Sequence, residues 1–229
     1  MQGILLVDKP AGWTSFDVVN YVRKIVAQAE GKKPKNVKVG HTGTLDPFAT
    51  GLLVLLIGKD YTRRAGEFSK LDKTYEVTMR LGETSITGDP EGKITQVSEE
   101  RPEKQALEAA LQQFVGEIKQ TPPAHSAIKV KGQRAYKLAR AGKEVKLDPR
   151  KVTVNRLELT EYSYPEVKLT ADVSSGTYIR TLVEDIGQAL RTGAYTISLN
   201  RIQINGFNLK NAQQISDLTS ELVRSSIKE

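Results

Sequence analysis

Residues 40–57 constrain the fold more than any other stretch, because an irregular loop there leads directly into an uninterrupted apolar segment. The segment Leu52–Ile57 is the longest apolar run and is far too short to cross a bilayer, so it predicts a buried strand. Residues 40–51 are rich in Gly, Thr and Pro, which predicts a loop around the carboxylate of Asp46. The loop alone leaves two interpretations open: a functional carboxylate, or a turn in which Asp46 bonds backbone amides.

The rest of the chain predicts a mixture of strands and helices. Polar and apolar residues alternate over residues 73–81, which places Tyr75 and Val77 on the buried face of a strand. Further strands are predicted at residues 3–8, 151–160, 166–174 and 195–204. Helices are predicted at residues 15–29 with Ser15 as N-cap, at 102–114 with Ala106 buried, near Tyr136, at 177–191 and at 215–227, and residues 84–92 are predicted as a loop. Because strict βαβ alternation is absent, we expect an α/β (α+β) fold with a mixed, largely antiparallel sheet flanked by helices.

The composition excludes several kinds of site. Cysteine is absent, which rules out disulfides, thiolate zinc sites and cysteine nucleophiles and fits a reducing cytoplasm. Since His41 and His125 are the only histidines, a metal cage of several histidines is also excluded, whereas a carboxylate-bound magnesium is not. The apolar N-terminus has no Lys or Arg before it and is interrupted at Asp8, so it predicts a strand and not a signal peptide.

Positive charge is concentrated in one segment. From Lys129 to Lys151 the chain carries nine basic residues against Glu144 and Asp148, and this net of +7 equals the formal charge of the whole chain. Such a segment favours a polyanionic partner whose binding weakens with added salt, although a solvated Lys-rich hairpin explains the charge equally well.

Several motifs occur in one order along the chain. They read D-K-P-A-G-W-T-S at residues 8–15, G-H-T-G-T-L-D-P-F-A-T-G-L-L at 40–53, K-T-Y-E-V at 73–77, T-G-D-P-E-G at 87–92, S-A-I-K at 126–129, S-G-T-Y-I-R at 175–180 and L-N-R at 199–201. Over residues 3–205 this series resembles the bacterial tRNA pseudouridine synthase B family. The chain departs from the family pattern at His125, usually Tyr, at Ile86, usually Asp, and at Asn200, commonly Arg.

The resemblance implies a pseudouridine synthase fold of two fused lobes. The catalytic domain is expected at residues 1–210, with a basic RNA-binding insertion at about 123–151 and a short helical tail at 211–229. The further small RNA-binding domain that bacterial members usually carry is expected to be missing. The implied reaction isomerises uridine 55 in the T-loop of tRNA after base flipping, with no cofactor and no metal. The implied partner is the T-stem-loop of tRNA, bound by a monomer in the cytoplasm and away from membranes.

The resemblance also assigns roles to individual residues. Asp46 matches the catalytic nucleophile, Arg180 its ionic partner, and Tyr75 the residue that stacks on the target uracil with its hydroxyl near the C5 proton. Whether Asp46 attacks uracil C6 or ribose C1′ is left open. The candidates for contact with the substrate or the surrounding RNA are His41, Leu199, Lys9, Lys73, Tyr178, Lys129, Arg134 and Tyr136. In this group His41 would fill the gap left by the flipped base, and Leu199 would pack beside that base.

Two other function classes compete with this enzyme. An RNA-binding or RNA-folding protein of the same fold would not need Asp46, Tyr75 and Arg180 together. A glycosidase needs a second carboxylate as acid or base, and the sequence offers no obvious candidate for it. The residues therefore favour catalysis on RNA.

We predict that the basic segment supplies much of the RNA affinity. Replacing Lys129, Lys131, Arg134 and Lys137 with Ala should weaken tRNA binding and flatten its salt dependence, because fewer counterions are released, whereas turnover at saturating RNA should suffer less. Filter binding at several salt concentrations measures both effects. An unchanged affinity with an unchanged salt slope would leave the segment as a solvated hairpin.

Overall fold

The computed structural model describes residues 1–126, 128–130 and 132–228. Ala127 of the S-A-I-K motif, Lys131 of the basic segment and Glu229 of the predicted tail lie outside the described residues. The chain forms two compact units, Met1–Glu76 together with Leu199–Glu229, here called the N-terminal unit, and Val77–Ser198, here called the central unit.

Strands and helices are mixed along the chain. The strands are β1 (Gly3–Lys9), β2 (Val39–His41), β3 (Thr50–Ile57), β4 (Lys73–Leu81), β5 (Glu83–Ser85), β6 (Ile94–Gln96), β7 (Gly116–Gln120), β8 (Lys129–Val130), β9 (Gln133–Arg134), β10 (Arg150–Ser163), β11 (Glu166–Val173), β12 (Ala194–Ile204), β13 (Phe207–Asn208) and β14 (Gln213–Gln214). The helices are α1 (Ser15–Ala29), α2 (Lys59–Arg63), α3 (Ala65–Ser69), α4 (Lys104–Gln112), α5 (Ala135–Arg140), α6 (Ile179–Ala189) and α7 (Ser220–Ser226). Short 3₁₀ turns lie at Pro34–Asn36, Leu209–Asn211 and Ile215–Asp217.

The predicted apolar strand β3 is the centre of the N-terminal unit. It pairs antiparallel with β1, from Gly3 opposite Ile57 to Lys9 opposite Gly51, and antiparallel with β2. It also pairs parallel with β12 at Asn200 and Arg201, and β14 pairs parallel with β1. Side chains alternate along β3, so one face packs on α1 and the other on residues of α2 and α3. Burial on both faces explains why the sequence of β3 is apolar without interruption.

The N-cap of helix α1 lies one residue earlier than predicted. Thr14, and not Ser15, is the N-cap: its hydroxyl accepts from the Asp17 amide at 3.1 Å, and the Asp17 carboxylate accepts from the Thr14 amide at 2.9 Å. This reciprocal capping box satisfies two amides at the helix start. The Ser15 hydroxyl is buried and bonds instead to Leu45, so it cannot cap the helix.

The central unit is built from antiparallel pairs. Strand β10 pairs with β11 on one side and with β7 on the other, and α4 lies against β10. The predicted inward face of α6 is buried at Ile179, Leu182, Val183 and Ile186. The predicted α+β class with a largely antiparallel sheet is therefore confirmed.

Three predictions of local structure need correction. The stretch predicted as a loop at residues 84–92 begins within β5, which pairs with β6 through backbone bonds alone, because β6 is exposed and has no apolar alternation. The C-terminal helix starts at Ser220, since Thr219 caps it after a 3₁₀ turn. Ala106 is exposed on α4 and not buried as predicted. None of the helices in the described ranges is long and apolar enough for a bilayer span.

We predict that the Thr14 cap contributes measurably to stability. Thr14→Ala should lower the free energy of unfolding by about 1 kcal/mol, because the Asp17 amide loses its acceptor. Thr14→Ser keeps the hydroxyl and should leave the free energy of unfolding nearly unchanged, because Ser caps a helix at least as well as Thr. Urea denaturation of both variants provides the comparison, and equal losses for Ala and Ser would contradict the capping role.

Candidate active site

Asp46 lies in the loop of residues 42–49, which joins β2 to β3 and is here called the Asp46 loop. The neighbouring side chains of Leu45 and Ala49 are buried, whereas Asp46 is half-buried. The Asp46 carbonyl accepts from the Ala49 amide at 3.2 Å, so the chain turns directly after the carboxylate. Burial on either side leaves Asp46 at the surface of a fixed turn.

Helix α1 and the strand before it hold the loop from one side. The Ser15 hydroxyl accepts from the Leu45 amide at 2.8 Å and donates to the Leu45 carbonyl at 3.1 Å. The Gly12 amide donates to the Pro47 carbonyl at 2.8 Å. The backbone is thus fixed on both sides of Asp46.

Lys9 is fully buried beneath the same loop. Its ammonium donates to the backbone carbonyls of Pro10 (2.9 Å), Trp13 (2.7 Å) and Pro47 (3.2 Å). The expected contact of Lys9 with RNA is not supported by this geometry, because the side chain has no exposed surface. Lys9 instead ties β1 to the Asp46 loop.

Arg201 holds the loop from the other side and was not singled out from the sequence. This buried guanidinium donates to the carbonyls of Leu52 (2.8 Å), Gly43 (3.1 Å) and Thr44 (3.5 Å). In the sequence, only the L-N-R motif of residues 199–201 points to Arg201, and the motif does not show which groups this side chain binds. Arg201 fixes the loop before Asp46 to the start of β3.

Gly51 allows this close approach of β12 to β3. Its φ of +102° is a backbone conformation that residues other than glycine rarely adopt. A Cβ at this position would lie 2.5 Å from the Arg201 carbonyl oxygen. Any larger residue would therefore separate the two strands where they support Asp46.

Two further basic groups lie near the loop, and burial disfavours their charged forms. Burial and then the charge of Arg201 lower the pKa of Lys73 to about 8, although Asp72 opposes the shift. The Lys73 ammonium donates to the carbonyls of Leu71 and Ser69. Burial and Arg201 likewise lower the pKa of His41, which favours the neutral imidazole at pH 7. The buried Nδ1 of His41 has no hydrogen-bond partner among the described residues.

Tyr75 and Leu199 lie on neighbouring strands of the N-terminal unit. The Asn200 amide donates to the Glu76 carboxylate at 3.0 Å, which aligns the end of the unit's β4 segment with its β12 segment. Because side chains alternate along a strand, Tyr75 and Leu199 point to the face opposite this bond. Both are buried, which an ordinary core position and a position beside a base produce equally, so their contact with the base stays a prediction.

The central unit has a buried cation of its own, Arg180, which is also held by hydrogen bonds. Its buried guanidinium donates to the Thr87 carbonyl at 2.6 Å, the Asp89 carboxylate at 3.1 Å and the His125 carbonyl at 3.0 Å. Asp89 is itself buried and accepts from the Thr87 hydroxyl at 2.5 Å. The T-G-D-P-E-G motif at residues 87–92 contained the signal for Asp89, but no role followed from it. The pairing of Arg180 with Asp46 stays a prediction.

The other predicted RNA-contact residues also belong to the central unit. The Tyr178 backbone is bonded in both directions to the Gln120 side chain just before α6. Lys129 and Arg134 are exposed on the β8–β9 hairpin, and Tyr136 is the second residue of the adjacent α5. The basic hairpin is thus present, while its Lys131 is outside the described residues.

We predict a pH dependence of stability that originates at Lys73. The unfolded side chain keeps its proton up to about pH 10.5 and the folded one only to about 8, so stability should rise with pH between these values. Lys73→Met should remove up to about 1.4 kcal/mol per pH unit from this slope. Urea titrations from pH 7 to 10.5 measure it, with the exposed neighbour Lys70→Met as control. If the free energy of unfolding changes with pH in the same way for wild type and Lys73→Met, the lowered pKa of Lys73 is ruled out.

Comparison with known proteins identifies the family. The sequence profile of the TruB family pseudouridylate synthases (N terminal domain) matches residues 30–179, a range that includes the Asp46 loop and Tyr75. A relative named tRNA pseudouridine synthase B from Pseudomonas fluorescens is 45% identical over 218 residues, covering 95% of this chain and 68% of the relative. A relative of the same name from Phocaeicola vulgatus is 40% identical, covering 99% of this chain and 95% of the relative.

A solved structure shares the fold. A chain from the crystal structure of a Cbf5-Nop10-Gar1 complex superposes with a TM-score of 0.71 at 28% identity. The match covers 94% of this chain and 53% of the other, so this chain spans about half the length of that structural relative. The family resemblance drawn from the motifs is confirmed by the profile and the relatives: the chain belongs to the TruB family of pseudouridylate synthases.

Proposed function

We propose that this protein isomerises uridine 55 in the T-loop of tRNA to pseudouridine, with Asp46 as nucleophile and without a cofactor. The observation that carries the proposal is the Asp46 loop itself: the half-buried Asp46 lies in a turn that Ser15, Lys9 and Arg201 hold in place. The curated relatives of the same family are named for this activity.

The reaction rearranges one glycosidic bond within the nucleotide. The bond between N1 and C1′ breaks, a bond between C5 and C1′ forms, C5 loses a proton and N1 gains one. A carboxylate can form the covalent intermediate that separates these steps, by attack at C1′ or at C6. The target base must first leave the stack, as for other enzymes that act on a base.

Tyr75 and Leu199 are assigned to the flipped base. They point to one face of neighbouring strands and are buried, which suits two groups that enclose a flat ring. The Tyr75 ring stacks on the uracil, and its hydroxyl serves the C5 proton. His41, whose imidazole is favoured in its neutral form, fills the gap that the base leaves in the RNA.

Arg180 is assigned as the ionic partner of Asp46. A guanidinium has five N–H donors, and the bonds to Thr87, Asp89 and His125 fix its orientation before RNA binds. A positive charge held in this way favours an ionised and correctly aimed carboxylate. Asp89 is therefore a positioning residue that acts through Arg180.

The remaining assignments concern the RNA contacts, the role of Lys73, the oligomeric state and the cellular location. The proposed RNA contacts come from Lys129 and Arg134 on the basic hairpin, Tyr136 on α5 and Tyr178 just before α6. For Lys73, the bonds to Leu71 and Ser69 favour support of the site over direct contact. We assign a monomer in the cytoplasm, in line with a tRNA substrate and the absence of cysteine.

We predict that Asp46→Asn abolishes turnover while RNA binding persists. The loss of the nucleophile removes the covalent route, so tritium release from tRNA labelled at uridine C5 should fall at least about 10³-fold. The dissociation constant for tRNA should stay close to the wild-type value, because phosphate contacts lie elsewhere. Asp60→Asn, an exposed site on α2, is the matched control and should release tritium like wild type. Comparable rates for Asp46→Asn and wild type would refute the proposal.

A further inference from the structure

An aromatic side chain is exposed on α1 directly beside the support of the Asp46 loop. Phe16 is 59% exposed, and the preceding residue is Ser15, which bonds Leu45. Arg23 lies two helical turns further, about 10 Å along the axis. Its guanidinium carbon is 5.8 Å from the centroid of the Phe16 ring, so the two side chains form one continuous surface. Neither residue has a role in the function proposed above.

Arg23 is held in place toward β2. Its guanidinium donates to the Asn20 side chain at 2.7 Å and to the Val39 carbonyl at 3.2 Å. Both acceptors are neutral, so these bonds orient the charge without cancelling it. A guanidinium fixed in this way loses little further entropy when it binds an anion.

Beyond Arg23 the surface opens into a small basic pocket. Its volume is about 140 Å³, and its lining consists of Arg23, Pro34, Lys35, Val37, Lys38 and Val39. Lys35 and Lys38 are exposed, and neither ammonium is paired with a carboxylate among the described residues.

Two acidic residues at the ends of α1 leave this surface with a net positive charge. Asp17 keeps its negative charge, because its capping-box partners in Thr14 are neutral, and it offsets at most one of the three cations Arg23, Lys35 and Lys38. Glu30 is paired with the amino group of Met1 and with Lys32. The strip formed by Phe16, Asn20, Arg23, Lys35 and Lys38, here called the α1 strip, therefore stays positive with an exposed aromatic ring at one end.

We propose that the α1 strip binds a segment of the RNA substrate, with a nucleobase stacked on Phe16 and a phosphate in the pocket of Arg23, Lys35 and Lys38. An aromatic platform beside a cationic groove is the combination that binds unpaired nucleotides, since every base has a stacking face and every linkage carries a charge. An acidic peptide or another polyanion would use the cations but would have no need of Phe16. The proposal rests on the proposed function, because it places an RNA contact next to the Asp46 loop. It adds to the basic hairpin a second contact surface, within the N-terminal unit.

The phosphate contact is tested by charge reversal with a matched control. Lys35→Glu/Lys38→Glu should weaken binding of an unmodified tRNA transcript roughly tenfold or more at about 0.1 M salt, and lower the salt slope by about 0.7 to 0.9 for the one phosphate contact that is lost. Lys210→Glu/Arg224→Glu changes the net charge equally, at exposed sites of the same unit, and should have a much smaller effect. Urea midpoints of both variants report that the fold is retained. If the two variants weaken tRNA binding equally, the proposal is overturned, because the change in net charge alone would then explain the loss of affinity.

The base contact is tested by comparing two polyanions. Phe16→Ala should weaken tRNA binding roughly 5- to 100-fold, the loss expected when one base loses its aromatic stacking partner. Binding of heparin, which has no bases, should be unchanged by Phe16→Ala and weakened by Lys35→Glu/Lys38→Glu. Unchanged tRNA affinity of Phe16→Ala, or equal losses for tRNA and heparin, overturns the proposal.

The two proposals fail in different ways. If wild type binds tRNA but releases no tritium from C5-labelled uridine, the proposed function is wrong, and the α1 strip is still decided by the dissociation constants. If tritium is released normally and the strip variants bind tRNA like their control, the strip proposal alone is wrong.

Discussion

The site depends on two buried cations that bind backbone carbonyls around Asp46. Removing a lysine and an arginine from water costs several kcal/mol each, so such groups persist only when hydrogen bonds compensate them. Lys9 and Arg201 each donate to three carbonyl oxygens, and charge-assisted bonds of this kind contribute about 1.5–3 kcal/mol apiece. The loop, the end of β1 and the start of β3 are thereby joined into one frame. This rigidity is what a nucleophile needs, since small displacements of a reacting group cost large factors in rate.

The regular elements near the site follow from the sequence, because their signals are local. The apolar run of β3 and the alternation of β4 predicted both strands, and β4 begins and ends at the predicted residues. The Asp46 loop was found from its glycines and its motif. Its supports were not, because the bonds of Ser15 and Arg201 join residues 30 and about 150 positions apart in sequence. No periodicity or propensity encodes such contacts, and for the same reason the sequence alone favours Ser15 as the helix cap.

The contacts of His125, Ile86 and Asn200 explain how the chain accommodates its departures from the family pattern. Arg180 is bound by the backbone carbonyl of His125, so the side chain at this position can change without loss of the bond. Ile86 is 75% exposed, while the adjacent Thr87 carbonyl and Asp89 hold the guanidinium. At the third position, Asn200 bonds Glu76 and links two strands of the N-terminal unit. All three substitutions therefore leave the neighbouring supports in place.

Most bonds that hold the Asp46 loop are made to main-chain atoms, and this has an evolutionary consequence. A carbonyl or amide is supplied by almost any residue, so the frame does not depend on the identity of the loop side chains. Exposed positions such as Thr44 can therefore be substituted without loosening the turn. The anchoring side chains Lys9, Ser15 and Arg201 have no such latitude, since each is buried and shaped to its acceptors. The two sides of the same loop thus differ in the substitutions that they tolerate: few at the anchors beneath it, and many on its outer surface.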